Sequence, residues 1–456
     1  MRADPGLSAR DGRLNRQNMA GLSTTASGRG ARDARLPIPA LLALALAGFV
    51  TILTEALPAG LLPQISAGLG VSEALAGQLV TIYAIGSLMA AIPLTAATQG
   101  VRRRPLLLAA IAGFVIANTV TTVSTSYVLT MAARFVAGVS AGLLWALAAG
   151  YAARMVPAHQ QGRAIAIAMV GTPLALSLGV PAGTFLGNLV GWRWCFGIMS
   201  VLALLLMAWV RIQVPDFAGQ SMGKRASLRR VFMTPGVRAV LFVVFAFVLA
   251  HNILYTYIAP FLAAGGMGDR TDVMLLVFGL ASLVGLWIIG VLIDSHLRAM
   301  TLASTVLFAL SALALGISSA DPIVVTAAVA AWGLAFGGAP TLFQTALAKT
   351  AGDGADVAQS MLVTAWNLAI AGGGILGGIL LQGVGVVAFA PALLGLLAAT
   401  LIVVGTARRH GFPAAGGPAT GGPAAGVPAA GAPGGGSAAP GAHRSAVTAS
   451  PRKATP

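Results

Sequence analysis

Charge is what this sequence has least of: Asp, Glu, Lys and Arg together make up 9% of its 456 residues. Soluble domains carry about 25%, so most of the chain is not surfaced for water. Cysteine is nearly missing too, with Cys195 alone, which excludes a disulfide framework or a zinc cluster within the chain. No HExxH, GxxxxGK(S/T) or paired-carboxylate pattern occurs. The usual arguments for a metalloprotease, an ATPase or a hydrolase therefore fall away, and neither enzyme activity, a metal nor a cofactor is expected. Acidic residues number 12 against 28 basic ones, a formal net charge of +16. That excess does not point to nucleic acid, which needs a basic face on a folded surface; here the charges sit in tails and short loops.

What the chain has instead is apolar length. Hydrophobic residues make up 57% of it, mean hydropathy is +0.87, and its runs approach or exceed the ~20 residues that cross a bilayer core. Splitting them at charges, prolines and Gly/Ser clusters predicts twelve helices. They cover 38–62, 75–98, 105–124, 127–150, 163–187, 192–212, 237–261, 272–293, 299–318, 322–346, 357–382 and 386–407. The expected class is thus an all-α integral membrane protein. Residues 1–36 are polar and rich in Arg, Gly and Ser; they read as a disordered cytoplasmic tail, because the apolar run that follows is too long for a signal peptide. Residues 408–456 read as a second such tail, of Ala/Gly/Pro-rich low complexity.

An even number of spans puts both termini on one side, and lysine and arginine mark the cytoplasmic loops. With both ends cytoplasmic, 25 of the 28 basic residues fall on that side, leaving Arg134, Arg193 and Arg270. The longest internal polar stretch, with Lys224, Arg225, Arg229 and Arg230, divides the spans six and six. Two bundles are expected, over 37–212 and 237–407, joined by a cytoplasmic linker at 213–236. Gly179, Gly183 and Gly191 recur 194 positions later as Gly373, Gly377 and Gly385, and Arg104 recurs as Arg298. This shared offset reads as a duplication, giving two pseudo-symmetric halves.

Eleven of the twelve acidic residues lie in tails, loops or helix ends; Glu55 lies within the first span. At ~1.5 Å per residue it is roughly 10 Å inside, where a charge costs about 2.5 kcal/mol or more. It needs a partner, a proton or water. Arg134, at a similar depth in the fourth span, stays charged at any biological pH. Two readings follow. Glu55 gains and loses a proton during a transport cycle, or the two residues form a structural ion pair between spans one and four.

Several segments have a family likeness. Thr54-Glu55 followed by Pro58 to Pro63, and Ala76 to Gly86 in the second span, resemble the twelve-helix drug:proton antiporters of the major facilitator superfamily. Within these the resemblance is to the arabinose-efflux and chloramphenicol-resistance branch. Arg134-Phe135-Val136-Ala137-Gly138 resembles the superfamily's arginine motif. Gly171 to Gly183, with Pro181, is similar to the antiporter motif, and Gly191-Trp192-Arg193-Trp194 follows it. The resemblance covers nearly all of 38–407. It implies the major facilitator fold, alternating access, and export of a drug, phenicol-like antibiotic, sugar or nucleoside in exchange for protons through Glu55 and Arg134. It also implies conformational roles for Arg102, Arg103, Arg104, Gly171, Gly179, Pro181, Gly183, Asp294 and Arg298. The loop at 95–105 keeps the basic end of its family pattern and lacks the aspartate, whereas the loop after span eight keeps Asp294. The glycines and Pro181 suit a bent, smooth helix at the interface between the bundles, though ordinary membrane packing explains them too.

Polar and aromatic side chains within the spans are candidates for a substrate cavity. His251 and Tyr255 share one helix face, with Asn252 adjacent. Tyr83, Trp145, Gln344, Trp366 and Asn367 are further candidates, each of which also reads as packing. Asn118 reads as structural. A single buried acid suits neutral or amphipathic compounds, such as phenicols, nucleosides or sugars, better than strongly cationic drugs. The alternative on the same fold is a proton symporter importing a sugar or nucleoside; a membrane receptor or enzyme is remote. The expected partners are a small-molecule substrate, protons and the lipid bilayer, with the protein a monomer. Its Ala-, Gly- and Arg-rich usage points to a GC-rich bacterium and hence to the cytoplasmic (inner) membrane.

Overall fold

The computed structural model describes residues 36–412, apart from 92, 99, 158–159, 220–227 and 409. The tails expected at 1–36 and 408–456 lie almost wholly outside the described residues, as do Lys224 and Arg225. Among the described residues twelve helices are long and apolar enough to cross a membrane. They are α1 (Ile38–Gly60), α2 (Glu73–Ala90), α3 (Arg103–Val123), α4 (Tyr127–Arg154), α5 (Arg163–Val190) and α6 (Trp192–Gln213). The second set is α7 (Val237–Thr256), α8 (Gly268–Ile293), α9 (His296–Ile317), α10 (Pro322–Ala351), α11 (Val357–Gly383) and α12 (Val386–Thr406). Each overlaps one expected span, and α4 and α10 run several residues further than expected. Large apolar side chains such as Ile116, Leu189, Leu205, Trp287 and Ile402 stay exposed on the outside, forming a belt suited to lipid. The end where α1 begins carries Arg102, Arg103 and Arg104 and is here the basic end; the opposite one is the far end.

The helices form two six-helix bundles with matching internal geometry. In the first, α2 and α4 come so close that a Cβ on Gly138 would strike the main chain of Tyr83, and one on Gly142 that of Ser87. Each contact recurs 195 positions on, where Gly333 meets Phe278 and Gly337 meets Ser282, closing α8 onto α10. The kink at Leu61 after α1 (φ −112°, ψ 13°) returns at Tyr257 after α7 (φ −113°, ψ 26°). Beside the sequence repeat at offset 194, the two halves thus share backbone contacts at offset 195 and a kink at offset 196, as parallel halves require.

The duplicated glycines lie elsewhere than expected. Gly179 and Gly183 face Phe49 and Leu57 of α1, while Gly373 and Gly377 face Asn252 of α7 and Tyr257 just after it. Each set fastens the fifth helix to the first helix of its own bundle, instead of smoothing the interface between bundles. Small residues belong where two helices approach most closely, and for this face of α5 the neighbour is α1. The interface is met by other residues of α5, with Ser177 against Gly279 of α8. The bend expected from Pro181 takes the form of a π turn at Ala175–Gly179, just ahead of the segment Val180–Val190. Proline cannot donate the regular hydrogen bond, and a local widening of the helix absorbs the mismatch.

The bundles meet at the far end. The Tyr257 hydroxyl, held by the Gly374 carbonyl of its own bundle (2.7 Å), also reaches the Ala74 carbonyl of α2 (3.3 Å); Gln78 Nε2 donates to the Gly374 carbonyl (3.0 Å), and Gln382 Nε2 donates to Ser72 Oγ (3.0 Å). Buried apolar residues from the far half of the first bundle, including Leu57, Leu61, Val80 and Phe196, are continuous with the core of the second. Those of its basic half, such as Leu44, Leu107, Leu144 and Leu206, form a core of their own. The halves are thus welded at one end and packed separately at the other. Gly138→Leu is expected to destabilise the protein by about 1–3 kcal/mol through overpacking. Gly150→Ala, at a position with open space around it, should leave thermal unfolding in detergent unchanged; equal melting points for the two variants would contradict the α2–α4 contact.

Candidate functional site

Arg134 occupies the core of the first bundle and is 1% exposed. Its helix begins where Ser126 caps the N-terminus, accepting from the Leu129 N–H, and this start fixes the depth of the arginine. The side chain crosses to α1, where Nη1 donates to the Thr54 carbonyl (2.5 Å) and Nη2 to that of Glu55 (3.3 Å). Nε donates to the Leu79 carbonyl of α2 at 3.3 Å. The guanidinium also lies over the rings of Tyr83 (4.9 Å) and Phe196 (5.9 Å). Hydrogen bonds from a charged group are worth about 1.5–3 kcal/mol each, and ring faces favour a desolvated cation.

Glu55 is half-buried beside this arrangement. A structural ion pair is one of the two expectations for these residues; in the structure they are joined through main chain, with no carboxylate–guanidinium contact within 4.0 Å. Nη1, Nη2 and Nε of the arginine are each engaged by a main-chain carbonyl, two of them from the consecutive residues Thr54 and Glu55. Its carboxyl stays within Coulombic range of Arg134 and Tyr83 in its own bundle and of Tyr255 in the other. Thr54 is held a second time, because its hydroxyl accepts from Asn118 Nδ2 of α3 (3.2 Å). Asn118 thereby supports the α1 segment that Arg134 grips. The carbonyls of Thr54 and Leu79 were not visible as ligands in the sequence, since a backbone acceptor leaves no residue signature.

The other cavity candidates separate into groups. Tyr83 belongs with Arg134, its hydroxyl donating to the Thr51 carbonyl (3.0 Å). His251 and Tyr255 stack on each other (ring centroids 5.1 Å) within an aromatic cluster that adds Phe278, Trp332 and Phe336. Trp366 touches its edge through Phe336 (6.3 Å). Asn252 and Asn367 are spent on their own helices, donating to Val248 and Val363 carbonyls (both 2.9 Å). Trp145 is half-buried over Gly48 of α1, and the Gln344 side chain is exposed. Trp332, Phe278 and Phe336 escaped the sequence reading because aromatic residues in apolar helices look like packing. The His251 Nδ1, Tyr255 hydroxyl and Trp332 Nε1 are all buried without a hydrogen-bond partner, at a cost of about 1–3 kcal/mol each.

At the basic end the carboxylate missing from the loop before α3 is supplied from another part of the chain. Asp216, in the strap after α6, pairs with Arg102 Nε (2.8 Å) and accepts from the Arg104 N–H (3.0 Å). The Phe217 carbonyl accepts from the Arg103 N–H (2.9 Å), and the Phe217 ring packs edge-on against Tyr151 (5.3 Å). Tyr151 in turn donates to the Pro215 carbonyl (2.6 Å). A parallel strap closes the second bundle, where Arg298 donates to carbonyls of Val404 (2.7 Å), Gly405 and Phe412 (both 3.1 Å). The side chain of Asp294 lies outside the described residues. The Arg104 N–H, helped by the nearby arginine charges and opposed by partial burial, holds the Asp216 carboxyl below its ordinary value of 3.8.

The family profile of the Major Facilitator Superfamily matches residues 44–374. The purine ribonucleoside efflux pump NepI of Escherichia coli (strain K12) is 29% identical over 336 residues, covering 73% of this chain and 85% of the relative. Its counterpart from Escherichia coli O6:K15:H31 is 30% identical over the same coverage. Among solved structures a D-xylose–proton symporter superposes with a TM-score of 0.66 at 16% identity, covering 84% of this chain and 98% of that one.

A carboxyl held low in the folded state contributes stability that is complete above its unfolded value and lost as pH falls through the folded value. The strap should therefore hold at neutral pH and release only well into acid, below 3.8. Amide exchange of Arg103 and Arg104 measures this. Asp216→Asn is expected to exchange faster at pH 7 and to lose the acid-dependent rise that the natural residue gives.

Proposed function

The chain belongs to the Major Facilitator Superfamily, and from that premise we propose that it exports a small organic molecule in exchange for protons, with Glu55 as the proton-carrying group. The observation that carries this reading is the division of labour at the site. Arg134 spends its donors on three main-chain carbonyls, so the arginine does not neutralise Glu55 by direct contact. A carboxyl within the membrane needs a proton, a partner or water, and without an ion pair Glu55 is free to exchange the first for the last. Arg134 is the positioning residue, holding the α1 turn that carries the acid and supplying a fixed positive field.

The packing supports alternating access. With the far end closed by Tyr257, Gln78 and Gln382, and separate apolar cores at the basic end, the protein faces the basic side. The charge distribution supports a cytoplasmic basic end, with both termini there, in the cytoplasmic membrane of a bacterium. This conformation is the one an exporter uses to load. Substrate entering from the basic side drives the Glu55 proton off to that side, and after the switch a proton from the far side returns to Glu55 as the substrate leaves, which resets the cycle. Relatives described as purine ribonucleoside efflux pumps support export and put nucleosides first among the candidate substrates, ahead of sugars, phenicols and other drugs.

Inside-out vesicles with an acidic lumen test the reading. Adding adenosine, inosine or chloramphenicol should discharge the pH gradient with the natural protein and fail to do so with Glu55→Gln. Equal proton movement by the two would make Glu55 a structural residue. Arg134→Lys keeps the charge and loses the fork; losing even one carbonyl bond lowers stability by about 1.5–3 kcal/mol. A Lys variant that melts and transports as the natural protein would remove Arg134 from its positioning role.

A further inference from the structure

The aromatic cluster in the second bundle has more polar chemistry than a packing core needs. Buried tyrosine and tryptophan usually find a partner for their O–H and N–H, and buried polar atoms in general are hydrogen-bonded. Here the Tyr255 hydroxyl, Trp332 Nε1 and His251 Nδ1 are all buried and unpartnered. Their residues are 5%, 0% and 6% exposed. The three belong to one cluster: His251 lies 5.1 Å from Tyr255 and 5.2 Å from Trp332, and Tyr255 lies 6.1 Å from Trp332, between ring centroids. A leucine or phenylalanine would fill the same space without leaving these atoms unbonded.

The ring faces are arranged for stacking. Phe336 lies flat on His251, with centroids 3.5 Å apart and planes 9° from parallel. Phe336 is also the last full ring before α10 breaks: the segment Pro322–Gly337 stops at Gly338 and a second one starts at Ala339. A side chain next to a helix break is well placed to swing aside. Half-buried Trp366 stands beyond it, leading from the edge of the cluster, and Tyr255 lies within Coulombic range of Glu55 on the other side.

We propose that this cluster is the slot for a flat heteroaromatic ring of the transported molecule. The ring takes the place of Phe336 on the face of His251, and its edge is read by Tyr255, Trp332 and His251. The proposal rests on the transport reading above and names the chemical class that the site accepts. The indole N–H requires an acceptor on the ligand edge. The phenol gives or takes a hydrogen bond, and the imidazole adds a second polar contact. A planar base with both ring nitrogens and exocyclic donors fits all of these. A sugar alone has no π face to stack, and a nitrophenyl ring offers acceptors without donors.

Equilibrium binding of tritiated adenosine to the full-length protein in nanodiscs tests this, with adenine and ribose as competitors. Tyr255→Phe and Trp332→Phe keep a ring and delete one unpartnered polar atom. Each should weaken adenosine binding at least about tenfold while leaving the melting temperature unchanged or raising it, because deletion of an unpaired buried group does not cost stability. Adenine should compete and ribose should not. Unchanged affinity in both variants, competition by ribose equal to that by adenine, or absence of adenosine binding would overturn the slot. The transport reading has its own readout in proton movement by vesicles. Ribose that moves protons through Glu55 in variants with an altered slot would keep that reading and overturn this one. Adenosine binding that depends on Tyr255 without proton movement would do the reverse.

Discussion

Arg134 cannot release its charge, and the core of the first bundle is built around that constraint. A guanidinium at membrane depth must have acceptors, and the cheapest ones available are main-chain carbonyls. Those of Thr54, Glu55 and Leu79 are used. Because they come from α1 and α2, the arginine of α4 ties three helices at one level. The rings of Tyr83 and Phe196 close the site against lipid, and Asn118 holds Thr54 from α3. Glu55 answers to the same constraint: its backbone carbonyl is gripped, and its carboxylate makes no ion pair with the arginine.

Helix packing adapts to the absence of a hydrophobic drive between helices within lipid. Close backbone contact replaces it, and this explains why the same small-residue contacts occur at Gly138 and Gly333 and at Gly142 and Gly337. Conserving the geometry between halves lets both present similar surfaces to each other. The chemistry is divided unequally within that symmetric frame. The first bundle holds the acid and the arginine; the second holds the aromatic cluster around His251 and Trp332.

The straps at the basic end show a carboxylate relocated within the fold. Asp216 reaches the loop before α3 from the end of α6, and the last turn of α12 with Phe412 beyond it does comparable work for Arg298 through carbonyls. In each half the sixth helix returns to secure the start of the third. Both straps act within a bundle and do not cross between bundles, so they keep each bundle whole without opposing a change in their relative position.

The sequence by itself determined the number of spans, their even division and the likeness of the two halves. Each of these depends on local length, hydropathy or charge, which a linear chain displays. Contacts between helices were decided only by tertiary structure. Arg134 binds carbonyls rather than the Glu55 carboxylate, because side-chain reach and helix rotation set that choice. Gly179 and Gly183 face α1 instead of the other bundle, because closeness of approach is a property of two helices and not of one. Asp216 finds Arg102 across more than a hundred residues, and Trp332 and Phe336 meet His251 only once α7 and α10 pack. The residue list carries the polarity of these groups; partnership between them is a matter of distance, which folding alone supplies.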